Sequence, residues 1–324
     1  MKRDWLPLLL LPALGVAAFP FVGSASSFMT LTVAGLAMGL MIFIMASGLT
    51  LTFGLMDVLN FGHGAFIAVG AFVAASVMLA LGPWMGASSA ALNLSAVGVA
   101  ILAAMAVSGV LGWAFERVVV RPVYGQHLKQ ILITTGGLIV AEQLLKVIWG
   151  PEQITLTRPE ALRGAFLLGD IAIEKYRVLA GVVGLAVFAA LSLTLNRTRI
   201  GLLIRAGVEN GEMVEALGYR IRRLFVGVFV AGSALAGLGG AMWGLYQEVV
   251  TAAIGGQVIV LVFIVIIIGG LGSVGGCFVG ALLVGLTANY VGFLAPKVAL
   301  GSNILLMALI LLWRPQGLYP VAKR

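Results

Sequence analysis

Long unbroken apolar runs dominate this sequence, and no other feature restricts its possible folds as strongly. Stretches of roughly 20 apolar residues, enough to cross a bilayer, recur near residues 5–22, 28–54, 61–82, 93–115, 130–149, 178–196, 224–247, 257–271, 276–295 and 301–313. Of the 324 residues 61% are hydrophobic and only 10% are charged. A water-facing surface needs roughly a quarter to a third of its residues charged, so the outer surface faces lipid. Backbone groups in hydrocarbon must bond within the chain, which leaves helices or a closed barrel. The runs lack the alternation of barrel strands. The expected fold is therefore an all-α integral membrane protein, a single domain over residues 1–324 with about ten transmembrane helices. The 44 glycines fit that setting, because small residues let helix backbones approach closely in lipid.

Charge orients the helices. Lys2 and Arg3, then Arg117, Arg121 and Lys129, then Arg197, Arg199, Arg205, Arg220, Arg222 and Arg223, then Arg314, Lys323 and Arg324 occupy alternate connections, all on one side of a ten-span chain. The positive-inside rule makes that side the cytoplasm and places both termini there. On the opposite side residues 150–177 form the main external loop, where Arg158, Arg163, Lys175 and Arg177 are balanced by Glu152, Glu160, Asp170 and Glu174. The first span has a second reading as a cleavable signal peptide, with Lys2 and Arg3 before an apolar run and small residues at Gly23–Ser27. Orientation of the later spans is the same either way. The net charge of +8 resides in the connections on the basic side, where anionic lipid and topology account for it; nucleic-acid binding is not expected.

Four features carry potential chemistry. Asn60-Phe61-Gly62-His63-Gly64-Ala65-Phe66 follows the second span. Glycines and polar residues at a helix start leave backbone groups unpaired at membrane depth, which is tolerated only against protein or a water-filled path. The free N–H groups of the following helix would favour a carboxylate without any Lys or Arg. His63 has an alternative role, packing against a neighbouring carbonyl. A second Gly-rich stretch, Gly269-Gly270-Leu271-Gly272-Ser273-Val274-Gly275-Gly276, lies in the other half. Paired Gly-interrupted segments point to a translocation path, and close helix packing uses glycine equally well. Residues near 55–64 and 269–276 are thus candidate broken or re-entrant segments, with Asn60, Gly62, His63, Gly64, Gly270, Gly272 and Ser273 as pathway candidates. The fifth span adds Glu142, beside Gln143, with Thr134 and Thr135 earlier on the helix. An ionisable group in a span is costly and usually functional; a neutral Glu142 bonding across helices is the alternative. Finally, Glu209–Gly218 within the basic 197–223 connection reads as a short amphipathic helix, with Glu212 and Glu215 on one face and Gly218 suited to its C-terminal cap. It is either a docking element for a soluble partner or a solvated loop.

No Gly-Lys pair occurs, so the chain lacks a phosphate-loop lysine and cannot itself hydrolyse ATP. Two histidines and one cysteine supply no ligand set for a zinc site.

Gly48-Leu49-Thr50-Leu51-Thr52-Phe53-Gly54, then Asn60-Phe61-Gly62-His63-Gly64 and Gly70-Ala71-Phe72, resemble the opening signature of the LivH-type branched-chain amino acid ABC permeases. Arg121-Pro122, Ile148-Trp149-Gly150-Pro151-Glu152, Arg197-Thr198-Arg199-Ile200-Gly201, Arg205-Ala206, Ala216-Leu217-Gly218, Gly269-Gly270-Leu271-Gly272-Ser273 and Arg314-Pro315-Gln316-Gly317-Leu318 continue the likeness, in order, from about residue 30 onward. The resemblance implies an ABC importer permease fold in the bacterial inner membrane. It also implies partners: a second permease of LivM type, two cytoplasmic ABC ATPase subunits and a periplasmic solute-binding protein. No cofactor is then expected in this chain, ATP-Mg being bound by the ATPases. By the same resemblance Arg205 and Glu209, Glu212, Glu215, Ala216, Leu217 and Gly218 belong to a coupling segment seated on the ATPase. The sequence departs from the pattern at Ala65, where many relatives carry a polar residue, and at Glu142-Gln143, where an uncharged polar pair is usual. Urea, amides and other small polar solutes are alternative cargo, since a separate binding protein largely sets specificity. Outside the family, an ion-coupled transporter using Glu142 and a non-transporting scaffold are the remaining classes.

Overall fold

The apolar runs form helices. The computed structural model describes residues 5–320 apart from Asp57 and Asn210. Lys2, Arg3, Lys323 and Arg324, used above for orientation, lie outside the described residues, as do the side chains of Glu209 and Glu212. In chain order the helices are α1 (Leu6–Val22), α2 (Ala25–Met56), α3 (His63–Ala80), the single turn α4 (Gly82–Met85), α5 (Ala90–Phe115), α6 (His127–Trp149) and α7 (Lys175–Arg197). They continue with α8 (Arg199–Glu209), α9 (Gly211–Ala216), α10 (Ile221–Gln247), α11 (Ile254–Gly269), α12 (Val274–Leu294) and α13 (Ala299–Trp313). Four short strands, β1 (Ile154–Thr155), β2 (Ala165–Leu168), β3 (Ile171–Glu174) and β4 (Val249–Val250), make two small antiparallel pairs, β1 with β4 and β2 with β3.

Among the described residues, seven helices are long and apolar enough to cross a membrane, and Leu6–Val22, Ile254–Gly269 and Gly301–Trp313 are shorter apolar helices. The chain is an all-α, multi-pass integral membrane protein in which the ten apolar runs appear as these seven plus three. At 16 residues α11 reaches only about 24 Å, less than the roughly 30 Å hydrocarbon core.

Glycine determines which helices touch. α10 lies in the centre against α2, α3 and α5, and α12 lies along α2. Gly48 of α2 meets Gly232 of α10, and Gly70 of α3 meets Gly237, backbone against backbone. Large side chains turn the other way: Leu132, Val140, Val147 and Ile148 on α6, Val182 and Leu193 on α7, and Leu305 and Leu312 on α13 are exposed, as a lipid-facing surface requires.

Contacts sort the connections into two ends. At one, Arg121 and Tyr124 share a cavity with Glu215 and Arg222, Gly54 touches Gly272, and the amides of Leu318 and Tyr319 bond the Ile268 and Gly269 carbonyls at 2.8 and 3.0 Å. At the other, Ile154 pairs with Val250, the Trp149 indole donates to Ser76 at 2.7 Å, and Asn93 accepts from the Ala161 amide at 2.6 Å. The basic connections with described residues therefore gather at the first end.

The stretch 269–276 is a tight helix-turn-helix. α11 ends at Gly269 and α12 starts at Val274, and Gly270 and Gly272 take φ of 94° and 81° in the turn. The stretch 55–64 is a true break. α3 starts where the His63 ring meets the Met45 carbonyl at 2.9 Å, yet α2 runs on to Met56, about 16 Å further along its axis. Residues 58–62 bring the chain back into the apolar region in non-helical form.

Candidate functional site

A non-helical backbone inside hydrocarbon must find partners for its N–H and C=O groups. Here α6 supplies them. The Leu59 amide donates to Gln130 Oε1 at 3.3 Å and the Phe61 amide to Thr134 Oγ1 at 3.1 Å. Four residues of helix rise about 6 Å, so the two side chains reach successive points along the break. Polar side chains four apart on α6 thus match amides two apart on the break. Each is fixed in turn, Gln130 by donating to the Val123 carbonyl at 3.1 Å and Thr134 by donating to the Gln130 carbonyl at 2.6 Å. Both are fully buried.

The start of α3 is enclosed. A Cβ at Gly62 would stand 2.8 Å from the Phe115 ring and 3.0 Å from Asn60 Oδ1, and one at Gly64 would stand 2.7 Å from the Gly255 carbonyl oxygen. Aromatic rings surround this point: Phe61 stacks on Phe263 with centroids 4.4 Å apart, and Phe66 lies edge-on to Phe115 and Phe229. Within this shell Asn60 is 1% exposed, and neither its Nδ2 nor its Oδ1 has a hydrogen-bond partner. His63, also buried, holds the Met45 carbonyl, the contact expected of a packing histidine.

The other pathway candidates lie apart from this point. Thr135 is half-buried, one residue from the threonine that bonds the break. Glu142 pairs with Lys146 of the same helix at 2.9 Å, its side chain 28% exposed. Ser273 Oγ accepts from the Gly276 amide at 3.0 Å, capping α12. Gly270 packs on Tyr319 and Pro320, and Gly272 on Gly54.

At the basic end a cavity of about 320 Å³ is lined by Glu116, Arg121, Tyr124, Glu215, Ile221, Arg222 and Phe225. One wall is a π-helical stretch, Glu116–Val120, continuing α5; such stretches often mark functional sites. Glu116 is buried and accepts from the Tyr124 hydroxyl at 2.7 Å. Burial, and then the Glu116 carboxylate, push the Tyr124 phenol far above its ordinary range, so it remains a neutral donor. The other wall is the basic connection. Its structure is more helical than the sequence indicated: α8 precedes α9, started by the Thr198 hydroxyl, which accepts from the Gly201 amide at 3.3 Å. The periodic apolar set Gly201, Ile204, Gly207 was the signal for it, obscured by the arginines. Ile204 packs on Leu51 and Val228, while Arg205 points outward and bonds the Gly201 carbonyl of its own helix. α9 spans Gly211–Ala216, starting two residues later than Glu209 because α8 ends there. Val214 faces inward; Glu215, Ala216, Leu217 and Gly218 are exposed, Leu217 at 71%. Gly218 closes the helix at φ 87°.

At the opposite end Arg158, read in the sequence only as part of the loop's charge balance, joins three elements. It donates to the Leu245 and Tyr246 carbonyls that end α10 at 3.1 and 2.9 Å, and pairs with Glu174 and Glu248, each at 3.0 Å. A cation at a helix C-terminus meets the negative end of the dipole.

Comparison with known proteins adds to this geometry. Residues 31–313 match the family described as "Branched-chain amino acid transport system / permease component". The high-affinity branched-chain amino acid transport system permease protein BraD of Pseudomonas aeruginosa is 29% identical over 88% of this chain and 93% of its own length. The corresponding LivH protein of Escherichia coli is 26% identical over 88% and 92%. A probable branched-chain amino acid transport permease protein LivM of Methanocaldococcus jannaschii is 26% identical over 86% and 90%.

Proposed function

The chain belongs to the family of permease components of branched-chain amino acid transport systems, and from that premise we propose that it is the LivH-type subunit of an ATP-driven importer carrying branched-chain amino acids into the bacterial cytoplasm. It is a non-catalytic membrane component. Its complex contains a LivM-type permease, two cytoplasmic ATPases that bind ATP-Mg, and a periplasmic binding protein that delivers solute to the 150–177 end. Both termini and the 197–223 connection face the cytoplasm.

The observation that carries this reading is the exposed turn of α9. Leu217 points away from the protein, and Glu215 lines the cavity against Arg121, Arg222 and Glu116. An element exposed on one side and backed by a cavity on the other can be pushed. α10 begins at Ile221, a few residues on, and runs through the centre of the protein against α2, α3 and α5. Displacement of α9 by a closing ATPase dimer is thereby delivered to the helix that packs on α2 and α3, the two helices flanking the break. Such coupling works only if the ATPase binds the two permease conformations with different affinity.

The test uses the assembled transporter. Glu215→Arg reverses charge on the cavity wall, and Gly218→Pro demands a φ near −65° where the chain has 87°. Together they are expected to abolish solute-stimulated ATP hydrolysis and leucine import while the permease stays in the membrane. Co-purification of the native chain with two ATPases and a second permease is the companion result. Full stimulation in the double variant would remove the docking assignment.

A further inference from the structure

An unpartnered buried amide, that of Asn60, stands at the start of α3, and the first turn of α3 touches the first turn of α11 inside the apolar region. α3 starts at His63 and α11 at Ile254, and their first turns touch where Gly64 lies against Gly255. In these first turns the His63, Ala65 and Ile254 amides already donate to the Asn60, Gly62 and Thr251 carbonyls, and the amides that remain at the positive ends of the two helix dipoles are those of Gly64 and Gly255. Because α11 is shorter than the hydrocarbon core and α3 starts level with Met45 in mid-α2, both ends lie within the membrane, where that charge is poorly screened. Asn60 sits over the N-cap of α3, its Oδ1 3.0 Å from the Cβ position of Gly62, with both polar atoms unmet. A buried amide without partners costs stability, so its retention calls for a ligand.

We propose that this junction receives the main-chain groups of a transported α-amino acid. The claim rests on the permease reading and specifies its solute contacts. The carboxylate is bound by the Gly64 and Gly255 amides together with the Asn60 Nδ2–H, and Asn60 Oδ1 accepts from the solute's ammonium. Phe61, Phe115 and Phe263 supply the apolar surroundings for an aliphatic side chain. The Gly64–Gly255 contact closes the junction in this conformation, and parting of α3 from α11 opens it. Without a Cβ on either residue, the closed form brings the two backbones together and the open form leaves their amides accessible.

The experiment measures radiolabelled leucine uptake by cells carrying the complete transporter with wild-type, Asn60→Leu or Asn60→Asp permease, beside thermal melts of the purified complexes. Asn60→Leu removes the unmet polar pair and is expected to melt at or above the wild-type temperature, yet to import leucine about tenfold or more slowly, as loss of a hydrogen bond to a charged group requires. Asn60→Asp sets a negative charge beside the carboxylate and is expected to import as poorly or worse. Lower import accompanied by a lower melting temperature in Asn60→Leu would give Asn60 a packing role and overturn the proposal. Wild-type uptake by either variant would overturn it too, leaving the permease reading intact. An assembled wild-type complex that imports no leucine would remove both.

Discussion

At the scale of single residues, the break between α2 and α3 depends on two α6 side chains. Thr134→Val keeps the shape of the side chain but removes the acceptor of the Phe61 amide, and Gln130→Leu does the same for Leu59. An unsatisfied buried donor costs about 1–3 kcal/mol, so each variant should melt at a lower temperature in detergent, while Thr134→Ser should stay close to wild type. Equal melting temperatures for Thr134→Val and wild type would mean that these bonds do not hold the break. The sequence made this segment visible, because glycines and polar residues inside an apolar run have few explanations. It did not separate Thr134 from Thr135, since adjacent threonines look alike until the helix face toward the break is known. The spacing of Gln130 and Thr134, four apart, was the available clue. Glu142, singled out for its place in a span, pairs with Lys146 one turn on, a partner that a helical reading of the same sequence also offers.

At the scale of elements, apolar runs located nearly every helix, but boundaries and contacts depended on glycine in ways that composition does not specify. Glycine in a membrane helix serves a break, a turn or a packing seam, and only the partner element distinguishes these. Gly269–Gly276 illustrates this: Gly270 and Gly272 form a turn, Gly276 packs on Gly269, and Gly275 has open space. A matched pair of variants tests the assignment. In Gly54→Ala the new Cβ would run into the Gly272 backbone, forcing α2 from the α11–α12 turn; overpacking of this kind costs about 1–3 kcal/mol. Gly275→Ala adds the same methyl where nothing lies within 4 Å, in a helix that favours Ala over Gly by about 1 kcal/mol. The first should melt earlier than wild type and the second no earlier. If both fell equally, sensitivity to any added methyl, and not the Gly54–Gly272 contact, would be responsible. α8 was missed for a related reason, its apolar face being interrupted by the arginines of the basic connection.

At the scale of the whole molecule, the charge pattern and the contacts bear on different questions. Contacts divide the connections into two ends without saying which faces the cytoplasm; the proposed orientation rests on the excess of Lys and Arg at one end, by a rule about membrane insertion. Their agreement on the grouping was legible because each span reverses the chain, so an error of one span between two basic connections would have split them between the ends. Arg121 and Arg222 instead line one cavity. Single-cysteine labelling tests the remaining step. Cys277 is fully buried, and Cys277→Ser supplies a background without thiols. Leu167, on the β2–β3 hairpin, is 76% exposed, and Leu217, after α9, is 71% exposed. A membrane-impermeant maleimide applied to spheroplasts should label Leu167→Cys at once and Leu217→Cys only after permeabilisation. The reversed pattern would keep the fold and invert the protein in the membrane, placing the α9 surface beyond reach of any cytoplasmic ATPase. Labelling of both from outside would break the two-ended arrangement itself, because a single crossing, α7, separates the hairpin from α9.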